Sequence, residues 1–121
     1  MKFLAALLLI SSLISCGSLR QRNKERDLQS KMIRALNART PQFAQCAKQH
    51  DLFALFGKDR VRVELVLDIN ARGQVENFQI DDKKYPNSFV DCMFEVADLI
   101  PFPRLNKNEM AQLTQPFIFS K

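Results

Sequence analysis

The sequence predicts an α+β domain of two layers: a three-stranded sheet, antiparallel or mixed, with two helices on one face. Three observations predict it. Val61, Val63, Leu65, Leu67 and Ile69 alternate with Arg62, Glu64, Val66 and Asp68, the period-two pattern of a half-buried strand. Apolar residues recur at helical spacing both before that strand, around Phe43, and after it, around Phe89. The resulting order is helix, strand, strand, helix, strand. A lone hairpin is marginal, whereas three strands covered on one face by two helices make a viable domain.

Each element follows from local chemistry. From Leu28 the apolar residues fall at Met32, Ile33 and Leu36, one helical face. Thr40-Pro41 supplies an N-cap and a first-turn proline, so a second helix or kinked continuation begins there, with Phe43, Cys46 and Ala47 facing inward. It ends near His50-Asp51, and Leu52, Phe53, Leu55 and Phe56 form a packed connection up to Gly57. After the Val61–Ile69 strand, Asn70-Ala71-Arg72-Gly73 is a tight turn whose glycine suits a positive φ. The second strand runs from Gln74 to about Asp81, with Phe78 and Ile80 inward. Tyr85-Pro86-Asn87 breaks the chain, and Asn87 or Ser88 is placed to cap a helix whose face is Phe89, Cys92, Met93, Val96 and Leu99 or Ile100. Pro101 and Pro103 stop it. The last strand spans about Leu113 to Ser120, and Pro116, lacking an N–H, assigns it to a sheet edge beside the first strand.

The N-terminus carries a different message. Met1-Lys2 precedes the apolar run Phe3-Leu4-Ala5-Ala6-Leu7-Leu8-Leu9-Ile10, and Leu13-Ile14-Ser15-Cys16 closes it. A positive residue, a short apolar run and a small-residue cleavage site make an export signal. With Ser15 directly before Cys16, the end of that signal resembles the lipobox of bacterial lipoproteins. The resemblance implies cleavage between Ser15 and Cys16, with palmitate-type acylation of the Cys16 thiol and new amino group. An ordinary secretory signal followed by an unrelated cysteine is the alternative. The expected organisation is residues 1–15 as signal, 16–27 as lipidated N-terminus and tether, and 28–121 as the folded domain. Gly17, rather than an aspartate, follows the cysteine, so by the same resemblance the expected location is the outer membrane, facing the periplasm.

Removing Lys2 from 18 Lys and Arg leaves 17 against 13 Asp and Glu, a mature net charge of +4. No block of like charges occurs in the domain, and export also argues against a nucleic-acid partner. Arg20, Arg22, Lys24 and Arg26 cluster after the proposed anchor, where cations add about 1 kcal/mol each at an anionic membrane. They read equally well as a solvated linker entering a helix. With Cys16 committed to lipid, Cys46 and Cys92 remain as an even pair in an oxidising compartment. A bond between them closes a loop of roughly 47 residues, contributing about 4 kcal/mol in the chain-entropy model. Two buried free thiols are the alternative.

Asp68-Ile69-Asn70-Ala71-Arg72-Gly73-Gln74-Val75, followed by Phe78 and Ile80, resembles the signature of TonB C-terminal domains. Phe89, Val96 and Phe102-Pro103 are similar to that family's second helix and its exit. The AgmX/PglI C-terminal variant is closer: it has one cysteine ending its first helix and one in its second, here Cys46 and Cys92, an exit like Phe102-Pro103, and a close like Pro116-Phe117-Ile118-Phe119. The resemblance covers about Met32 to Phe119. It implies the order α-β-β-α-β and a protein-binding role, in which a partner strand adds to the edge formed by Gln112, Leu113, Thr114, Gln115, Phe117, Ile118 and Phe119. The Trp-containing motif of the family is absent, as are a proline-rich spacer and a membrane helix. The tether from Leu19 to Asp27 reaches only about 30 Å. The energy-transducing role of TonB is therefore not expected.

Catalytic chemistry finds no residues to carry it. His50 is the sole histidine, so neither a metal site nor a Ser/His/Asp triad can be assembled, and no phosphate-cradling glycine loop occurs. Cys46 and Cys92 are too far apart for a Cys-x-x-Cys redox pair. Asp68, Asp81 and Asp82 read as solvated strand-end and turn acids. The expectation is a non-enzymatic envelope module without cofactor, metal or small-molecule substrate, whose partners are the membrane, through the lipid, and other envelope proteins. The alternative is a structural subunit of an envelope or gliding-motility-type complex.

Overall fold

The structure, a computed structural model, describes residues 24–121. The signal, the cleavage site at Ser15 and Cys16, Gly17, Arg20 and Arg22 lie outside the described residues. The chain divides into two units, Met1–Ser30 and Lys31–Lys121, and the fold described below is that of the second. Helical residues already begin at 24, inside the expected tether, and α1 runs over residues 24–37. Within the second unit Met32 and Leu36 are its buried positions, one turn apart.

Three helical segments precede the sheet: the helix expected from Leu28, the second helix rather than a kinked continuation from Thr40, and a short helix in place of the expected packed connection. Pro41 sits in the first turn of α2 (Thr40–Gln49). Thr40 does not cap that helix; its hydroxyl donates instead to the Asn37 carbonyl at 2.7 Å. Asp51 and Gly57, both left-handed at φ 52° and 62°, bracket α3 (Leu52–Phe56), so the apolar connection is a five-residue helix. Leu52 and Phe53 face the core and Leu55 is exposed.

The sheet is antiparallel throughout, in the order β2-β1-β3, with β1 (Arg60–Ile69) between β2 (Val75–Ile80) and β3 (Ala111–Ser120). Its register pairs Val63 with Phe117 and Leu67 with Phe78, which places Val61, Val63, Leu65, Leu67, Ile69, Phe117 and Phe119 on one face. Phe43 of α2 meets Phe117 at 5.1 Å between ring centres, and Phe94 of α4 (Asn87–Asp98) meets Phe78 at 5.5 Å. Both helices therefore cover the same face. Pro86 occupies the N-cap of α4, with no side-chain cap from Asn87 or Ser88. Past its C-terminus Ile100 is buried and Leu99 is 78 % exposed, deciding between the two expected core residues.

The helices are stapled together. Cys46 and Cys92 form a disulfide, with S–S 2.07 Å and Cα–Cα 5.8 Å, joining α2 to α4 across the core side. Gly73, at φ +81°, closes the β1–β2 turn against the chain leaving α4: a Cβ there would lie 2.3 Å from the Phe102 carbonyl oxygen. Nearby, the Leu105 N–H donates to the Ala71 carbonyl at 2.9 Å. Turn and exit segment are thus held as one corner.

Candidate functional site

Backbone directions along β3 follow from two hydrogen-bonded positions. Glu64 exchanges bonds toward β2: its N–H reaches the Asp81 carboxylate at 2.8 Å, and its carbonyl accepts the Asp81 N–H at 3.1 Å. Lys121 donates to the Asp59 carbonyl at 2.8 Å on the β3 side. Alternation then gives the odd residues of β1 to β3 and the even ones to β2. Glu64 lies opposite Pro116, so Pro116 occupies a position whose amide faces away from β1. Pro116 removes no bond from the ladder; it removes one donor from the free edge. The outward donors that remain belong to Gln112, Thr114, Ile118 and Ser120.

The same even residues point their side chains to the face opposite the helices, and all five, Gln112, Thr114, Pro116, Ile118 and Ser120, are exposed, with Ile118 at 65 %. Leu113, Phe117 and Phe119 are buried beneath the helices and Gln115 is half-buried. The expected edge set therefore splits in two. Gln112, Thr114 and Ile118 present both backbone and side chain outward, while Leu113, Phe117 and Phe119 serve the core. No residue of β3 is charged, and ten residues make it long for an edge. β2, the other edge, has six residues, with Phe78 beneath α4.

A polar rung crosses the open face. Asp68 on the central strand accepts from Asn77 of β2 at 3.0 Å and from Gln112 of β3 at 3.3 Å. Arg62 pairs with Glu64 at 3.2 Å on the same surface. Exposed ion pairs of this kind contribute about 0–1 kcal/mol, so the face is decorated rather than closed.

Asp81 is not a solvated turn acid. Its carboxylate accepts the Glu64 N–H, the Lys83 N–H at 3.1 Å and the Tyr85 hydroxyl at 2.9 Å, and pairs with Lys83 at 3.6 Å. Partial burial pushes the Asp81 pKa up, but the backbone donors, the Tyr85 hydroxyl and the Lys83 charge outweigh it, leaving the carboxyl below its ordinary value. Burial first, then the bond to Asp81 and the Asp81 charge, raise the Tyr85 phenol well above its own. The Tyr85 ring packs against Phe56 at 5.6 Å and Phe89 at 5.3 Å, so the cluster locks α3, β1 and α4 at the end of β2. Sequence reasoning missed it because Glu64 and Asp81 stand 17 positions apart.

His50 caps the C-terminus of α2 through its backbone N–H. Among the described residues no group of three or more His, Cys, Asp or Glu is placed to hold a metal ion, and no helix is long and apolar enough to cross a membrane. Set beside protein-family models, curated proteins and solved structures, the chain matches none of them.

Proposed function

We propose that this chain is a non-enzymatic protein-binding module that takes an extended segment of a partner along β3, held at a bacterial envelope membrane by a lipid on Cys16. One observation carries the binding half of this reading: a ten-residue edge strand without a charge keeps four outward donors and an exposed Ile118 beside them. Edges that have no partner are usually blunted by charge, brevity or cover, and among the described residues Pro116 is the feature of this kind on β3. A partner strand gains main-chain bonds on either side of Pro116, and the exposed side chains of Thr114 and Ile118 read its sequence. The anchoring half rests on the Leu13-Ile14-Ser15-Cys16 pattern, with the outer membrane as the location and the periplasm as the facing compartment. In fold we read the domain as TonB C-terminal-like, nearest to the AgmX/PglI variant, supported by the strand order, the paired cysteines and the Phe102-Pro103 exit.

Thr114→Pro and Ile118→Pro each delete an outward donor while sparing the ladder. Capture of envelope proteins by the purified chain should be lost in both, with the Cys46–Cys92 bond and far-ultraviolet dichroism retained. Unchanged capture would overturn the edge reading, and failure of labelled palmitate to enter the chain would overturn the anchor.

Leu99 and Phe94, 78 % and 40 % exposed on the helical layer, favour a second reading, a structural subunit packed into a larger envelope complex through α4. In that case Leu99→Asp, not Ile118→Pro, removes the protein from its complex.

A further inference from the structure

Where the β1–β2 turn meets the segment leaving α4, a cleft of about 670 Å³ is lined by Ala71, Arg72, Gln74, Arg104, Leu105, Lys107 and Asn108. Three cations face it and no carboxylate does. None of the three forms an ion pair: the ion pairs among residues 31–121 are Arg62–Glu64 and Lys83–Asp81. Glu76 and Glu109 line the adjoining hollow, where they accept from Asn70 and Asn106, each at 3.3 Å. Arg72 lines that hollow as well, whereas Arg104 and Lys107 line the cleft alone.

The two arginines are also positioned by backbone rather than by chance. The bond from the Leu105 N–H to the Ala71 carbonyl joins the two loops, and Arg72 and Arg104 are the immediate neighbours of its two ends. Gly73 packs so closely on Phe102 that the loops cannot separate without disturbing the core. The Asn70 side chain accepts the N–H groups of Arg72 and Gln74, each at 3.0 Å, fixing the turn from inside. Planar guanidinium groups carried on this fixed stretch of backbone can match the bidentate geometry of a phosphate, and a lysine alongside adds a point charge.

We infer that this corner is a binding site for a phosphate-bearing anion of phosphomonoester type, independent of what occupies the β3 edge. The chemistry is shared by a soluble phosphomonoester and by a lipid headgroup carrying a terminal phosphate.

The mature chain, residues 16–121 with Cys16→Ser so that no lipid contributes, is titrated with inorganic phosphate at constant ionic strength while backbone amide resonances are followed. Saturable shifts confined to Arg72, Gly73, Leu105 and Asn108 are expected, and chloride at the same ionic strength should not reproduce them. Arg72→Gln/Arg104→Gln should weaken binding by about tenfold or more. Both positions are exposed, so the double variant should keep the wild-type spectrum elsewhere. A parallel arm measures co-sedimentation with phosphatidylcholine vesicles with and without phosphatidic acid. Phosphate binding with arginine-dependent sedimentation supports a headgroup source, and phosphate binding alone supports a soluble one. Shifts that do not saturate, that spread over the surface, or that survive the double variant would overturn the site.

Discussion

Gly73 and Phe102, 29 positions apart in the chain, touch so closely that a single added carbon on the glycine would fall 2.3 Å from the Phe102 carbonyl oxygen. The obstacle is backbone, not a side chain that can swing away, and the turn also needs φ +81°. Gly73→Ala should cost at least about 2 kcal/mol, lowering the melting temperature by about 8–16 °C. Gly57→Ala is the control. Its φ of +62° is similar but nothing lies within 4 Å, so strain alone should cost about 1 kcal/mol. Equal losses in thermal or denaturant unfolding would refute a role for the contact.

The Cys46–Cys92 bond ties α2 to α4 across a sequence separation of 46. The chain-entropy model assigns a loop of that length about 4 kcal/mol, and delivered values run lower, so about 3 kcal/mol should be lost in Cys46→Ala/Cys92→Ala. Denaturant midpoints with and without reductant measure it on the parent chain. Reductant should shift the parent and leave the double variant unmoved. A parent that keeps its midpoint when fully reduced would show that the helices hold without the staple.

Asp81 and Tyr85 give stability two opposite pH limits. The folded Asp81 carboxyl titrates below its ordinary 3.8, so its contribution is complete above that value and disappears as pH falls through it and below. The folded Tyr85 phenol titrates above its ordinary 10.0, so its contribution is complete below that value and fades as pH rises beyond it. Asp81→Ala removes three accepted bonds and should cost about 1–3 kcal/mol at neutral pH, flattening the acid limb. Tyr85→Phe should flatten the alkaline limb while keeping the ring contacts. Unfolding free energies across pH in the two variants check both signs.

Much of this architecture was legible because its signals are local. The alternation from Val61 to Ile69 is a property of neighbouring residues, and so is the proline that places β3 at an edge. The order of strands followed from the helix interposed between β2 and β3. What could not be read depends on distant pairs or on competition among equals. Thr40, Asn87 and Ser88 all suit an N-cap, yet Thr40 bonds back to Asn37 and Pro86 takes the cap of α4. Leu52–Phe56 is too short to show a period, and its helix is defined by left-handed residues at both ends. The edge strand was visible as a strand, but not which of its residues face outward. That required Glu64 to be seen bonding toward Asp81. The cationic corner needs Arg72 and Arg104 on one cleft, which the Leu105–Ala71 bond and the Gly73–Phe102 contact bring about.

Pro116 provides the sharpest test of the edge assignment, because its two candidate roles differ in sign. Its amide position faces away from β1, so restoring an N–H there adds nothing to the β1–β3 ladder. Pro116→Ala should therefore change folding stability only through the freer unfolded chain, a loss of about 0.4–1 kcal/mol. The free edge, in contrast, would gain an unbroken row of five outward donors on an uncharged strand, so self-association should increase. Static light scattering across concentration reads the second effect and denaturant unfolding at low concentration reads the first. A gain in folding stability of about 0.5–1.5 kcal/mol, the size expected for completing a missing ladder bond, would place Pro116 in the ladder rather than on the edge. An unchanged monomer would show that Pro116 is not what keeps this edge from pairing with a second copy.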